Sequence, residues 1–332
     1  MLDIRLIREK PDYVRENLKR RNDPEKLEML DQLIEYDKKW RQNLTRLNEL
    51  RHQRRELTNE IAQLKKQGKE IAQKIEEARK IDAEIESLEK QVEELSQKVK
   101  YYLMRLPNLL HDSVPYGVDE NDNVTVKTWG EIPKFDFKVK DHIDLGLSLG
   151  ILDLERAAKV SGTRFYYLKG LGVLLDMALI NFALNELVKK GYEPIEPPYM
   201  MRRKAYEGAT ALADFEEMLY KIEDEDLYLI ATSEHPIAAM FMNEVLNAED
   251  LPLKFAGVSA CFRREAGAHG KDTRGIFRTH QFNKVEQFIF CLPEHSWEMH
   301  EELLHNAEEL VQKLGLPYRV VNVCTGDIGS FA

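Results

Sequence analysis

The chain has 332 residues, of which 43% are hydrophobic and 32% are charged, and its formal net charge is −10. The hydrophobic fraction is too high for an intrinsically disordered chain, and the charged fraction is too high for an integral membrane protein. The apolar run from Leu171 to Leu184 contains Asp176 and Asn181 and is too short to span a bilayer, and the N-terminus lacks the apolar segment of a signal peptide. We therefore expect a soluble cytoplasmic protein of about two domains.

Residues that could bind a structural metal do not occur at the required spacings. The three cysteines form no CxxC pair, which argues against both a disulfide framework and a cysteine zinc site. His300 and His305 are one residue further apart than the two histidines of an HExxH motif, so they do not share a helix face. The segment from Gly267 to Asp272 lacks the spacing of a phosphate-binding P-loop. The sequence therefore predicts no metal ligand within the chain.

The N-terminal third is dominated by two long helical patterns, which follow a short amphipathic helical segment over residues 1–21. Apolar residues recur every three or four positions over residues 30–64 and again over residues 71–102, as in the a and d positions of a coiled coil. Gly68 lies between the two stretches, where the chain can reverse direction. The pattern predicts an antiparallel helical hairpin with arms of about 35 residues, roughly 50 Å long.

One part of this hairpin is basic although the protein as a whole is acidic. Residues 38–74 contain 11 Lys and Arg but only 4 Asp and Glu. The ordinary explanation is the solvated face of a coiled coil, and the alternative is an arm that binds the phosphates of a nucleic acid. Spacing alone does not decide between the two. The candidate nucleic-acid-binding residues are Arg51, Arg54, Arg55, Lys65 and Lys66.

Residues 107–144 are rich in Asp, Asn, Gly and Pro and are typical of a linker, after which helices and strands alternate. Helices are predicted over residues 174–190 and 297–314. The later strand candidates follow one another directly, which favours a mixed or antiparallel sheet. The strand candidates are residues 164–168, 227–231, 253–262, 282–291 and 318–323. The predicted domains are thus a helical arm over 1–106, the linker, and an α+β domain over 145–332.

Two neighbouring strands and the loop between them carry the most chemical information. The first strand ends in Arg263 and Glu265, the loop contains Gly, Lys and Arg, and the returning strand carries Arg278, Phe282 and Glu286. Two arginines facing one loop suit a phosphate-bearing ligand, and the Phe between them could stack on a base. The two carboxylates could accept hydrogen bonds from an amino group. A β-hairpin with surface salt bridges is the competing interpretation at this point.

This hairpin resembles motif 2 of the class II aminoacyl-tRNA synthetases, and the runs FRREAG and GKDTRGIFRTHQFNKVE are similar to those of seryl-tRNA synthetases. The segment over residues 191–199 resembles motif 1, the dimer element of the family. Thr232-Ser233-Glu234 resembles the family's serine-binding loop, and the basic hairpin is similar to its tRNA-binding arm. The resemblance covers essentially the whole chain. It implies an α+β fold in which an N-terminal antiparallel coiled-coil hairpin precedes a class II synthetase-like antiparallel sheet flanked by helices.

The resemblance implies a two-step reaction. The carboxylate of L-serine attacks the α-phosphate of ATP, and the seryl-adenylate then acylates tRNA-Ser. The catalytic residues would be Arg263 on the α-phosphate and serine carboxylate, Glu265 on the adenine amino group, and Arg278 on the distal phosphates. Phe282 would stack on the adenine. The ATP-binding residues would be Arg263, Arg264, Glu265, Arg278, Thr279 and Phe282.

For the amino acid, the resemblance implies that Thr232 and Glu234 hold the amino group and that Glu286 helps to bind the side-chain hydroxyl. Such a hydroxyl contact rejects alanine strongly, because alanine leaves the buried polar partner unpaired. The serine-binding residues would be Thr232, Ser233, Glu234, Arg263 and Glu286.

The resemblance also changes the interpretation of the basic hairpin. It favours tRNA binding, because the family's arm grips the backbone of the long variable region of its tRNA by shape. The same recognition implies tRNA-Sec as a second substrate. Homodimerisation through the motif 1 region and the use of Mg²⁺ with ATP are further implications.

The sequence departs from the family's pattern near residue 324. In the family this point is followed by a Mg²⁺-binding Glu and by motif 3, which carries a serine-contacting hydroxyl and an Arg over the adenine, and none of these is present before Ala332. A truncated synthetase and a non-catalytic tRNA-binding relative both fit this observation. The intact Arg263, Arg278 and Glu286 favour the truncated synthetase and argue against a coiled-coil scaffold with a vestigial domain.

Overall fold

The computed structural model describes residues 2–210, 216–265 and 275–332, and it divides the chain into two compact units. Unit 1 consists of Met1–Thr125 together with Val321–Ala332, and unit 2 consists of Val126–Val320. The segment from Gly267 to Asp272, which was rejected as a P-loop from its spacing, lies outside the described residues. The predicted domains, with boundaries at residues 106 and 144, stay a prediction.

Unit 1 begins with two short helices and continues into two long ones. The helices are α1 (Ile4–Glu9), α2 (Pro11–Lys19), α3 (Pro24–Lys66) and α4 (Ala72–Leu103). Asp23 caps α3 by accepting hydrogen bonds from the backbone N–H groups of Glu25 and Lys26. Gly68, between the long helices, has a φ of 66°, a conformation that a residue without a Cβ adopts at little cost. The single amphipathic segment predicted over residues 1–21 is thus two helices, and the coiled-coil hairpin is confirmed.

The long helices pack on each other through the apolar positions that the sequence predicted. Leu47, Leu50 and Leu57 of α3 are buried, as is Ala78 of α4. Asp37, which interrupts the apolar repeat, is also buried, and its carboxylate accepts hydrogen bonds from Arg8 (Oδ1 to Nη2, 2.6 Å) and Arg41 (Oδ2 to Nε, 2.9 Å). These partners explain how the helix tolerates a carboxylate in its buried face. A second cluster at the base of the hairpin consists of Leu2, Ile7, Val14, Leu18, Leu30, Leu33 and Leu106.

Residues 321–332 complete unit 1. Arg21 donates hydrogen bonds to the carbonyl oxygens of Gly329 (3.2 Å) and Ala332 (3.0 Å), as well as to that of Asn108 (2.9 Å). The backbone N–H of Cys324 donates to the side-chain oxygen of Asn123 at 2.8 Å. Side-chain and backbone hydrogen bonds therefore attach this segment to the N-terminal part of the unit.

Unit 2 alternates short strands with helices. The chain passes between the units within β1 (Val124–Trp129) and β9 (Tyr318–Asn322). The helices of unit 2 are α5 (His142–Ser148), α6 (Leu154–Ser161), α7 (Leu171–Lys189), α8 (Arg203–Ala209), α9 (Glu234–Ala238) and α10 (Ser296–Lys313). Its other strands are β2 (Leu152–Asp153), β3 (Tyr167–Leu168), β4 (Glu193–Ile195), β5 (Met200–Met201), β6 (Tyr228–Leu229), β7 (Leu253–Phe262) and β8 (Gln281–Phe290). The strands predicted near residues 164 and 227 are shorter than expected, and those near 253 and 282 agree closely.

The central sheet has the order β4-β7-β8, with β4 parallel to β7 and β7 antiparallel to β8. The sheet is therefore mixed rather than wholly antiparallel, and the α+β class is confirmed. Tyr192, Leu187 of α7 and Ala256 of β7 are buried, and the partly buried Leu303 of α10 packs against them, so α7 and α10 cover one face of the sheet. Alternation along β7 and β8 leaves the opposite face to a second set of side chains.

Helix α7 is longer and more apolar than the sequence suggested. It has 19 residues with a mean hydropathy of 1.6, so by length and composition it could span a membrane, and the expectation that this run is too short was wrong. Within the described part of the chain it is the one helix that meets this criterion. Only 17% of it is buried, and apolar side chains such as Leu171, Leu174 and Leu175 are exposed. Core helices of soluble proteins meet the same criterion, so the criterion alone does not indicate a membrane.

Candidate active site on one face of the sheet

The candidate residues of β8 lie on the face of the sheet opposite α7 and α10, on the side of the 231–234 loop and α9. Phe282, Lys284 and Glu286 alternate along the strand, so they point to the same side. Their partners across the antiparallel register are Cys261, Ser259 and Gly257. Because each partner on β7 is small, the register leaves space above the face for the larger side chains of β8 and for a ligand.

Gly257 has a second role in this arrangement. A Cβ at this position would lie 2.6 Å from Cδ1 of Ile237 and 2.9 Å from Oγ of Ser233. Both neighbours belong to the segment around α9, so glycine permits this segment to approach the sheet closely. Ser233 is fully buried, and its hydroxyl has no hydrogen-bond partner within the described residues.

A cavity of about 820 Å³ opens at the end of the β7–β8 hairpin. Its lining includes Arg263, Glu265, Arg278, Thr279 and Phe282, which the sequence predicted as ATP-binding residues. The lining is completed by Met218, Ile276 and Phe277. Two guanidinium groups, a carboxylate and an aromatic ring thus surround one space that is large enough for a nucleotide.

Arg263 is fixed from three directions. Its Nε donates to the carbonyl oxygen of Ala231 at 3.3 Å, and its guanidinium carbon lies 5.0 Å from the centre of the Phe282 ring. Its backbone N–H donates to the carbonyl oxygen of His280 at 2.9 Å. The cation–π contact and the hydrogen bonds orient the guanidinium at the junction between the cavity and the 231–234 loop.

The two charged residues at the other side of the cavity bind each other. Nε of Arg278 donates to Oε2 of Glu265, whose side chain is buried. Glu265 has a positive φ of 49°, and its carbonyl oxygen accepts a hydrogen bond from Arg164 at 3.0 Å. A ligand with an amino group and phosphates would offer new partners to both side chains of this ion pair.

Two other predicted ATP-binding residues occupy different environments. Arg264 is exposed and is not among the residues that line the cavity, and its backbone N–H donates to the carbonyl oxygen of Met218 at 2.9 Å. Thr279 is buried, lines the cavity and donates from Oγ1 to the carbonyl oxygen of Gln281 at 3.0 Å. The structure therefore brings Thr279 to the cavity wall but not the side chain of Arg264.

The predicted serine-binding residues form a hydrogen-bonded group beside Arg263. Oγ1 of Thr232 donates to Oε2 of Glu286 at 3.2 Å and accepts from the backbone N–H of Glu234 at 3.2 Å. Nζ of Lys284 forms an ion pair with the same Oε2. The loop and the sheet face are thus joined through one carboxylate oxygen.

Two residues that the sequence reading missed support the 231–234 loop. The hydroxyl of Tyr206 accepts a hydrogen bond from the backbone N–H of Ala231 at 3.1 Å and lies 3.2 Å from Nδ1 of His235. Burial lowers the pKa of His235 to about 4, and the positive charges of Lys284 and Arg263 act in the same direction, so the imidazole is neutral at pH 7. No pattern in the sequence indicates that Tyr206 reaches this loop. Lys284 was also missed, although strand alternation places it between Phe282 and Glu286.

The candidate tRNA-binding residues of the hairpin fall into two groups. Arg51 pairs with Glu89 at 2.7 Å, and Arg54 pairs with Asp82 at 2.7 Å, so α4 neutralises these two arginines across the hairpin. The other three residues are exposed, and none forms an ion pair with another residue of the described chain. These are Arg55, Lys65 and Lys66.

Comparison with known proteins places this geometry in a family. A family model of the seryl-tRNA synthetase N-terminal domain matches residues 1–110, and one of the class II tRNA synthetase core domain (G, H, P, S and T) matches residues 219–332. A serine–tRNA ligase of Methanocella arvoryzae is 57% identical over the whole chain, which covers 78% of that protein. The chain belongs to the seryl-tRNA synthetase family. The predicted membership of this family is thereby confirmed.

Solved structures of the seryl-tRNA synthetase family agree with this fold. The seryl-tRNA synthetase of Pyrococcus horikoshii complexed with ATP is 50% identical, with a TM-score of 0.91 over 99% of this chain and 78% of that one. The cytoplasmic serine–tRNA ligase of Naegleria fowleri in complex with AMP is 37% identical, with a TM-score of 0.84 over 99% of this chain and 77% of that one. The hairpin and the mixed sheet are therefore features of the family fold.

Proposed function

We propose that this protein is a serine–tRNA ligase that activates L-serine with ATP and transfers the seryl group to tRNA-Ser. The observation that carries the proposal is the single sheet face on which the Arg263–Phe282 cavity adjoins the Thr232–Glu286 pair. The names of the relatives, and the nucleotides in the two related structures, favour this function over a non-catalytic tRNA-binding relative.

The cavity suits ATP through complementary groups. Phe282 offers a ring on which adenine can stack, and Glu265 offers a carboxylate to the exocyclic amino group. Arg278 is then released to bind the distal phosphates, and Arg263 stabilises the negative charge that develops on the α-phosphate. No side chain in the described cavity is required as a general base, because the serine carboxylate is itself the nucleophile.

Mg²⁺ would supply additional charge neutralisation on the phosphates of ATP. Within residues 2–210, 216–265 and 275–332 no group of three or more His, Cys, Asp or Glu side chains could hold a metal ion. Glu265, the carboxylate of the cavity, is already bound by Arg278. The described residues therefore do not form a magnesium site, and no step is assigned to this ion.

The serine pocket would lie between the 231–234 loop and β8. Thr232 and Glu234 face the amino group, Arg263 faces the carboxylate, and Glu286 accepts a hydrogen bond from the side-chain hydroxyl. Alanine would leave the carboxylate without this donor, which costs about 1–3 kcal/mol in a buried site. Selection of serine over alanine would follow from this unpaired acceptor.

The hairpin would bind tRNA-Ser, with tRNA-Sec as a second substrate. The proposal is supported by the exposed cations Arg55, Lys65 and Lys66, which form no ion pair with any described residue, so their charge is available to backbone phosphates. By contrast, the ion-paired Arg51 and Arg54 would first have to leave their partners on α4.

The protein would act as a cytoplasmic homodimer through the motif 1 region over residues 191–199. The exposed apolar side chains of α7, which directly precedes this region, support the proposal because a surface of this kind favours association. Burial in a dimer would also account for the exposed apolar side chains of α7.

Serine-dependent ATP–pyrophosphate exchange tests the activation step. The protein should exchange with L-serine and only weakly with L-alanine, and Arg263→Ala should abolish exchange. Arg319→Ala is the matched control, because Arg319 is exposed on β9 and belongs to no part of the site. Absence of exchange by the folded wild-type protein, or equal activity of Arg263→Ala and Arg319→Ala, would refute the proposal.

A further inference from the structure

Lys284 is a partly buried cation close to another cation, Arg263, and the proposed reaction gives it no role. Its side chain is 28% exposed and lies on the site face of β8 between Phe282 and Glu286. Burial lowers the pKa of Lys284, and the nearby guanidinium of Arg263 acts in the same direction. An ammonium group held near a second cation needs a compensating partner, and Glu286 is that partner.

The contact with Lys284 makes the two oxygens of the Glu286 carboxylate inequivalent. Oε2 accepts from both Nζ of Lys284 and Oγ1 of Thr232. Oε1 has no hydrogen-bond partner among the residues that the structure describes. One oxygen is therefore held by the protein from two sides, and the other remains able to accept a hydrogen bond from a ligand.

We propose that Lys284 is the positioning residue that fixes Glu286 for selection of the serine hydroxyl. This inference rests on the serine–tRNA ligase activity proposed above. With Oε2 held by Lys284 and Thr232, the carboxylate presents Oε1 in one orientation to the side chain of the bound amino acid. A charged carboxylate is an acceptor only, so it binds a hydroxyl donor and gains nothing from a methyl group.

Direct binding of the substrate carboxylate by Lys284 would have a different consequence. Serine and alanine share the same α-carboxylate, so removal of such a contact weakens the binding of both amino acids to the same extent. If Glu286 is no longer held in position, the binding of serine is weakened more than that of alanine, because only serine has the hydroxyl. The ratio of serine to alanine activation therefore distinguishes a positioning role from a direct contact.

The protein offers a matched control on the other face of the same sheet. Lys254 forms an ion pair with Glu302 at 2.7 Å, and its side chain is 21% exposed. This pair has the same chemistry and similar burial, but it packs against α10 and faces away from the site. Lys254→Met therefore reports what loss of a partly buried lysine does to the fold alone.

The experiment measures ATP–pyrophosphate exchange by the protein with L-serine and L-alanine, together with thermal unfolding. In Lys284→Met, KM for serine should rise about 10- to 100-fold, and the serine-to-alanine ratio of kcat/KM should fall by a similar factor. KM for ATP should change less than threefold. Lys284→Arg, which keeps the charge, should recover most of the ratio, and Lys254→Met should lower the unfolding temperature without changing the ratio.

An unchanged serine-to-alanine ratio in folded Lys284→Met would overturn the proposal, as would an equal change in Lys254→Met. If Lys284→Met does not fold, the comparison of Lys284→Gln with Lys284→Arg provides the same test, with a lower ratio expected only for Lys284→Gln. Failure of wild-type exchange would instead refute the ligase activity, so the two failures are distinguishable.

Discussion

Asp37 provides a quantitative test of the forces that hold the base of the hairpin. Its side chain is 4% exposed and accepts hydrogen bonds from Arg8 at 2.6 and 3.0 Å and from Arg41 at 2.9 Å. We expect Asp37→Asn to remove the negative charge with almost no change in volume. The two guanidinium groups would then face each other without the carboxylate that both of them bind.

The magnitude follows from the exposure of the three partners. Breaking a fully buried ion pair costs about 3–5 kcal/mol, whereas an exposed pair contributes about 0–1 kcal/mol. The Asp37 side chain is buried, but those of Arg8 and Arg41 are 30% and 52% exposed, so water partly solvates the cations after substitution. We therefore expect a loss of about 2–3 kcal/mol in the free energy of unfolding.

Urea denaturation followed by helical circular dichroism would measure this loss. Asp31→Asn is the matched control, because Asp31 lies on the same helix and pairs with Arg15 but has a side chain that is 57% exposed. The control should lose less than about 1 kcal/mol. Equal losses in the two variants would refute the argument, because they would show that burial of Asp37 does not set the energy.

The same carboxylate should make stability depend on pH. Burial raises the pKa of Asp37, but the hydrogen bonds from Arg8 and Arg41 outweigh this effect, so the pKa lies below the ordinary value of 3.8. A carboxylate whose pKa is depressed by folding stabilises the protein above its unfolded pKa, and this contribution is lost as the pH falls through the folded pKa. The difference between wild type and Asp37→Asn should therefore shrink in acid.

Three further predictions concern the site and the arm. Phe282→Leu should raise KM for ATP about tenfold through loss of base stacking, with a smaller effect on KM for serine, as exchange kinetics would show. Gly257→Ala should cost about 1–3 kcal/mol and raise KM for serine, because the new Cβ displaces the serine-binding loop; unfolding and exchange measured on one preparation would check both. Substitution of Arg55, Lys65 and Lys66 by Glu should weaken tRNA-Ser binding and reduce its logarithmic salt slope by about 2–3, whereas an unchanged slope would exclude these residues from the interface.

The sequence predicted what depends on local periodicity. The apolar repeats of α3 and α4 and the alternation of β7 and β8 appear in the structure nearly as expected, because each pattern is long enough to outweigh local variation. Strands β3 and β6 were predicted too long, because segments of two residues depend on tertiary pairing rather than on their own composition. The length of α7 was also underestimated, because the two polar residues within its apolar run do not end the helix.

The candidate site was predicted as a set of residues but not as a set of contacts. Spacing identified Arg263, Phe282 and Glu286, since a strand places alternate residues on one face. It could not reveal that Arg278 binds Glu265, because that contact depends on how the loop returns to the sheet. Spacing also could not show that acidic residues of α4 pair with Arg51 and Arg54, because the sequence of one helix does not determine its register with another.

Unit 1 consists of two segments that are far apart in the sequence, and this affects when its parts can come together during translation. Met1–Thr125 belongs to the same unit as Val321–Ala332, so a ribosome must add about 200 residues between the two parts. The hairpin can fold early because α3 and α4 are neighbours in the chain, but the hydrogen bonds from Arg21 to Gly329 and Ala332 cannot form until residues 329–332 have been made. During translation the surface around Arg21 therefore stays open while the whole of unit 2 emerges and folds.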